Sequence, residues 1–215
     1  QECIRDQREM IESAQIVERQ VCFEPKGNYV FVGIRHSGKS YLLYQRIHQL
    51  LREGHQWDEI LFVNFDDERL AEFNTDDFNI LLETHYSQSP KKPFIFLDEV
   101  QRIPHWELFA RRLVNEKYTV YITGSNAKML SEEIATTLGG RFFIQYVYPY
   151  SFLEYISAQN IVLSTDWVKS TRKRSEVKRM FDSYFFFGGL PEILDYNEKR
   201  AVLSSLYQKI YLGDI

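Results

Sequence analysis

The stretch Gly33-Ile34-Arg35-His36-Ser37-Gly38-Lys39-Ser40 constrains this chain more than any other. It matches G-x-x-x-x-G-K-[ST], the pattern of a loop that cradles phosphate. The segment before it, Asn28-Tyr29-Val30-Phe31-Val32, is apolar, aromatic and β-branched, which predicts a buried strand. The segment after it, from Tyr41 to Ile47, sets apolar side chains along one side of a helix. Strand, glycine loop and helix are the context the pattern needs. Glycine lets the backbone turn and approach an anion closely. Loop N–H groups and the helix N-terminus then point at that anion. Lys39 is expected to reach the β- and γ-phosphates, and the Ser40 hydroxyl to ligate Mg²⁺. The expected cradle comprises Gly33, Ile34, Arg35, His36, Ser37, Gly38, Lys39, Ser40 and Tyr41. A strand–helix turn that happens to contain glycine has the same look, so a second motif has to decide.

That motif is Phe94-Ile95-Phe96-Leu97-Asp98-Glu99, an apolar strand ending in two acids. Adjacent carboxylates at a strand end repel unless a cation sits nearby. In nucleotide chemistry their jobs differ. Asp98 is expected to hold Mg²⁺ alongside Ser40. Glu99 is expected to orient and polarise an attacking water. A third signal, Thr123-Gly124-Ser125-Asn126, closes another apolar run. Ligand sites in parallel sheets lie outside the carboxyl ends of the strands. Asn126 or Ser125 there is either a sensor of the γ-phosphate or the N-cap of the next helix, and one residue can do both.

Strands are predicted at 28–32, 60–65, 94–97, 120–123 and 142–148. Helices are predicted at 76–86, 106–115 and 127–137, with an amphipathic helix within 1–20. Such alternation implies a mainly parallel sheet flanked by helices. From about Tyr150 helices dominate, at 151–159, 167–187 and 198–212. Three parts follow: a lead-in over 1–27, an α/β core over 28–149 and a helical lid over 150–215. Asp66 and Asp67 after the second strand read as acids at a helix start.

With 215 residues, 44% of them hydrophobic and 26% charged, a sizeable core is expected and disorder is not. The net charge of −4 gives no overall basic field, so any nucleic-acid contact has to be local. The local candidate is Lys169 to Arg179, with six basic residues and one Glu, read either as a solvated helix face or as a DNA contact. Cys3 and Cys22 have no C-x-x-C spacing and form no metal-type cluster with the five histidines, which fits a reducing, cytoplasmic setting. No apolar run of about 18 residues is present, so membrane insertion is not expected.

Together these motifs resemble the prokaryotic AAA+/STAND-like P-loop ATPases, and within them the AAA-14 family. The resemblance also rests on Ile103-Pro104-His105-Trp106-Glu107, Leu138-Gly139-Gly140-Arg141, Tyr148-Pro149-Tyr150-Ser151-Phe152 and Gly188-Gly189-Leu190-Pro191-Glu192. It implies a five-stranded ASCE-type sheet of order 5-1-4-3-2, with ATP and Mg²⁺ as cofactors. It implies hydrolysis to ADP and phosphate, coupled to lid or domain motion. The alternative is a nucleotide-gated switch of the STAND kind with little turnover. Arg141 matches the family's Gly-Arg and reads as an arginine finger, in cis or from a neighbouring copy of an oligomer, or as a structural ion pair. Pro191 reads as the lid proline that packs on adenine, or as a helix restart. Family members continue past the position of Tyr211-Leu212-Gly213-Asp214-Ile215, commonly into a DUF4143 domain, so a fragment lacking that C-terminal partner is expected.

Overall fold

The computed structural model describes residues 2–125, 136–163 and 167–213. The elements in order are α1 (Glu2–Ser13), β1 (Tyr29–Gly33), α2 (Lys39–Arg52), β2 (Ile60–Asn64), α3 (Phe78–Tyr86) and β3 (Phe94–Asp98). Next come α4 (Trp106–Asn115), β4 (Thr119–Ser125), β5 (Phe143–Tyr146), α5 (Phe152–Ala158), α6 (Thr171–Phe187) and α7 (Lys199–Gly213). The five strands form one parallel sheet in the order β2-β3-β4-β1-β5. Read from the other edge this is 5-1-4-3-2, the ASCE order.

Strand alternation divides the sheet chemically. One face carries Val30, Val32, Leu61, Val63, Ile95, Leu97, Val120 and Ile122, covered by Phe78, Leu81, Trp106, Phe109 and Leu113 of α3 and α4. The other carries Tyr29, Phe31, Phe62, Phe96 and Tyr121, covered by Leu42, Leu43, Ile47 and Leu50 of α2. Tyr121 stacks on Phe96 at 4.7 Å and on Tyr29 at 5.8 Å. Burial on both faces is why these strands read as unbroken apolar runs. Asn28 sets the register at the amino end. Its Oδ1 accepts from Val120 N–H at 2.9 Å, its Nδ2 donates to the Arg141 carbonyl at 3.2 Å, and its own carbonyl accepts from Phe143 N–H at 2.8 Å.

The edge strand β2 is finished by α1. Gln7, buried on that helix, accepts from Asn64 N–H at 3.1 Å and donates back toward the Asn64 carbonyl at 3.5 Å. A side-chain amide thus substitutes for a missing strand. Asp67 caps the turn that follows, accepting from Arg69 N–H at 3.0 Å.

Two compact units divide the chain. The first holds Gln1–Ile16, Gln20–Gly33 and Lys39–Val147; the second holds Val17–Arg19, Ile34–Gly38 and Tyr148–Ile215. The second has its own small core of Tyr155, Ile156, Val177 and Met180. A capping box starts α5: Glu154 N–H donates to Ser151 Oγ at 3.3 Å, and Ser151 N–H donates to Glu154 Oε2 at 2.7 Å. The single helix expected over 167–187 is instead a 3₁₀ turn, Trp167–Lys169, followed by α6. Ser170 causes the break, because its Oγ accepts from Lys173 N–H and makes it an N-cap.

Gly189 is fixed by close approach. A Cβ there would stand 2.1 Å from the Tyr150 carbonyl oxygen and 2.9 Å from the Tyr184 ring. Tyr150 N–H donates to the Gly189 carbonyl at 2.7 Å, so the two backbones cannot part without losing that bond. Gly189→Ala is expected to destabilise the second unit by about 1–3 kcal/mol, the usual range for overpacking. A urea midpoint unchanged from the parent chain would contradict this packing.

Candidate active site

β1 delivers the chain to the loop at Gly33, and α2 begins at Lys39. Between them His36 and Gly38 have positive φ, 62° and 92°. A bulky residue at Gly38 would be strained there, which is why the pattern keeps glycine. Lys39 is 4% exposed, and its Nζ donates to the Gly33 carbonyl at 3.1 Å. The side chain therefore folds back over the loop instead of extending into solvent. Tyr41 is half-exposed beside Tyr44, with ring centroids 5.3 Å apart.

β3 brings Asp98 and Glu99 to the same end of the sheet, and the two carboxylates have different surroundings. Asp98 is fully buried. Its Oδ1 accepts a short hydrogen bond from Thr123 Oγ1, and its Oδ2 is buried with no hydrogen-bond partner. Burial pushes its carboxyl up to about 6. The Thr123 hydrogen bond pulls the other way, the neighbouring Glu99 charge adds to the rise, and Ser40 and Lys39 oppose it. A buried carboxylate with a free oxygen next to a hydroxyl is an unfinished cation site. The residues present fit Mg²⁺, an ion that takes one or two protein oxygens and otherwise keeps water or phosphate.

Glu99 sits at φ 52°, a left-handed conformation that a non-glycine residue adopts only when its surroundings hold it there. Three contacts do so. Glu99 N–H donates to Thr123 Oγ1 at 3.0 Å, Gln101 Nε2 donates to Glu99 Oε2 at 2.6 Å, and Lys39 Nζ lies 4.0 Å from Glu99 Oε1. Thr123 thus braces both acids with one hydroxyl. Neither Thr123 nor Gln101 stands out in the sequence as a site residue. The available signal was the Thr-Gly-Ser-Asn cluster, but the bracing member is its first residue. Asn126 lies outside the described residues, and so does most of the helix expected at 127–137. Ser125 is placed through its backbone, which pairs with Gly33.

Arg141 does not join this cluster. Its carbonyl is held by Asn28, just before the amino end of β1, and its side chain is exposed. The phosphate loop leaves the opposite end of β1, a strand length of about 16 Å away. The register of β5 on β1, Tyr29 opposite Phe143, sets the preceding Gly-Gly-Arg turn beside the amino end of β1.

Within the second unit, residues 34–38 of the loop meet the segment carrying Pro191. Pro191 Cγ lies 3.8 Å from where a Cβ on Gly38 would stand. His36 Nδ1 lies 2.7 Å from Glu192 Oε2, outside hydrogen-bond angles. Arg19 donates to the Ser37 carbonyl at 3.3 Å, to the Tyr148 carbonyl at 2.7 Å and to Glu154 Oε1 at 3.2 Å. The lead-in thus supplies a brace for the loop that no motif announces. Among the described residues no cluster of His, Cys, Asp and Glu of the kind that holds a metal by itself is present. No helix among them is long and apolar enough to cross a membrane.

The chain is similar to several known proteins. An uncharacterised protein of Methanocaldococcus jannaschii is 33% identical over 220 residues, covering 100% of this chain and 48% of that protein. An uncharacterised protein of Haemophilus influenzae is 33% identical over 190 residues, covering 86% of this chain and 45% of that protein. The chain therefore spans about half the length of the curated relatives it matches. Two solved structures align with lower similarity. Cdc6p from Pyrobaculum aerophilum has a TM-score of 0.43 and 17% identity, over 62% of this chain and 42% of that one. AMPPCP-bound DnaA from Aquifex aeolicus has a TM-score of 0.43 and 13% identity, over 98% of this chain and 69% of that one. The AAA domain family model, AAA_14, matches residues 26–156, more than half of the sequence. On that match, and on the sheet order and loop described above, the chain belongs to the AAA_14 family of AAA domains, which are P-loop NTPases.

Proposed function

We propose that this chain binds ATP with Mg²⁺ and hydrolyses it to ADP and phosphate. One observation carries the reading. Lys39, Ser40, Asp98 and Glu99 converge at the carboxyl ends of β1 and β3, and Asp98 there keeps a buried oxygen that no protein group satisfies. Ser40 and Asp98 would hold the Mg²⁺, whose charge offsets that of the phosphoryl oxygens. Lys39 would leave the Gly33 carbonyl for the β- and γ-phosphates. Glu99, aimed by its backbone bond to Thr123, would polarise the attacking water. Little covalent chemistry is asked of the protein, so positioning and electrostatics supply most of the acceleration.

Coupling to the lid is part of the proposal. Loop residues 34–38 pack with the Pro191–Asp195 turn, so a change in the loop on phosphate release is felt at Pro191 and Glu192. Arg141, far from its own loop, would serve only a neighbouring copy. A second reading, a switch with little turnover, draws support from Glu99. Both of its oxygens face protein groups, Gln101 and Lys39. Multiple-turnover phosphate release separates the two, since a switch retains ADP.

Asp98→Asn tests the cation site through stability. In the fold this carboxyl is raised from 3.8 to about 6. The native state therefore binds the proton more tightly than the unfolded chain. Its stabilising effect is complete below pH 4 and is lost as pH rises through about 6. At pH 7.5 the wild type carries a buried charge, whereas Asn keeps an acceptor for Thr123 without it. Asp98→Asn is expected to raise nucleotide-free stability by on the order of 2 kcal/mol at pH 7.5 and to change it little at pH 4. It should also abolish Mg²⁺-dependent ATP binding. Equal urea midpoints at pH 7.5, with Mg²⁺ dependence intact, would remove Asp98 from the site.

A further inference from the structure

We propose that α6 carries a binding surface for single-stranded nucleic acid. The proposal is independent of the ATPase reading. From Lys169 to Arg179 the chain has six cations and one acid, Glu176, in a molecule of net charge −4. The structure puts most of this run in the N-terminal half of α6, with no acid in the first turn and no base in the last. Both placements oppose the helix macrodipole, which favours anions at the N-terminus and cations at the C-terminus. Arg174 and Lys178 also repel at i, i+4 spacing. A helix shaped for stability alone would be arranged the other way. A polyanion lying along it reverses the sign of each of these terms.

The aromatic residues on the same stripe identify the polyanion. Arg174, Lys178, Phe181 and Phe185 follow one another at spacings of four, three and four, so they share one face of the helix. All four are exposed, Phe185 to 74% and Phe181 to 48%. The rings of Phe181 and Phe185 lie 6.3 Å apart, inclined at 30°, and the Phe181 ring also meets Phe152 edge-on at 5.2 Å. Two cations followed by two outward aromatics, over about 16 Å of helix, match a phosphate backbone whose bases are free to stack on side chains. In a duplex the bases are already stacked on each other and the phenylalanines have nothing to meet. A membrane surface fits poorly, because a helix lying in lipid keeps its cations on the face opposite its apolar one, whereas here cations and phenylalanines share one stripe. The inward face of α6, Val177 and Met180 with Tyr184 beside them, is packed in its own unit's core.

Fluorescence anisotropy with a labelled oligothymidylate of about 20 nucleotides, spanning more than one typical site, tests this on the whole chain. Binding is expected at low salt, weakening as salt rises. Arg174→Gln, Lys178→Gln and Arg179→Gln combined should reduce the log–log salt slope by about 2, at about 0.7 per lost phosphate contact. Phe185→Ala, at an exposed position, should weaken binding roughly 10-fold and leave the slope unchanged. Four outcomes would overturn the proposal: no binding at low salt, equal or tighter binding of a duplex of the same length, variants that bind like the parent, or capture by phosphatidylserine vesicles without capture of the oligonucleotide.

Discussion

Glu99→Gln is expected to lower multiple-turnover phosphate release by about 10²- to 10⁴-fold, the range for removing a positioned general base. Binding of Mg·ATP should persist. Glutamine keeps the length of the side chain and the backbone N–H that Thr123 accepts. What it loses is the negative charge that would polarise the attacking water and that lies 4.0 Å from Lys39. The prediction is therefore a split: turnover falls while nucleotide-induced stabilisation stays. Measuring phosphate release beside thermal unfolding with and without Mg·ATP checks both halves. Unchanged turnover would remove Glu99 from the chemistry. Loss of both would make it a structural residue, held at its positive φ for the fold alone.

Lys39→Ala is expected to remove most of the stabilisation that ATP confers. At 100 times its dissociation constant, Mg·ATP should stabilise the wild type by about 2.7 kcal/mol. Lys39 is the cation of the loop expected at the β- and γ-phosphates. It is 4% exposed, tied to the Gly33 carbonyl at 3.1 Å and close to Glu99. Without it, only loop N–H groups and Mg²⁺ are left to face the charge of the β- and γ-phosphates. A thermal shift in Lys39→Ala equal to that of the wild type at the same ATP concentration would sink the phosphate-loop assignment.

Much of the fold is legible in the sequence, for a physical reason. Parallel strands buried on both faces must be apolar throughout, so β1, β2, β3 and β4 appear as runs with little ambiguity. The loop is legible because close backbone approach to phosphate demands particular residues at fixed spacing. What escapes the sequence depends on register between distant segments. Thr123 braces Asp98 and Glu99 only because Ile122 lies opposite Leu97 across the β3–β4 ladder. Arg141 lies beside the amino end of β1 because Phe143 lies opposite Tyr29. Gln7 on α1 and Arg19 in the lead-in act through backbone atoms of Asn64 and Ser37, and no side-chain pattern records such partners. His36 occupies a position where the loop pattern accepts any residue, yet it meets Glu192. Such contacts use positions that the pattern leaves open and are not required by it.

Phosphate released per protein chain over many minutes, in Mg·ATP and in the same ATP with EDTA, tests the central claim most directly. Hydrolysis predicts phosphate in large excess over protein, only with Mg²⁺ and only with Glu99 present. Release that stops at one phosphate per chain or below, with ADP retained, would contradict hydrolytic turnover and leave the switch in its place.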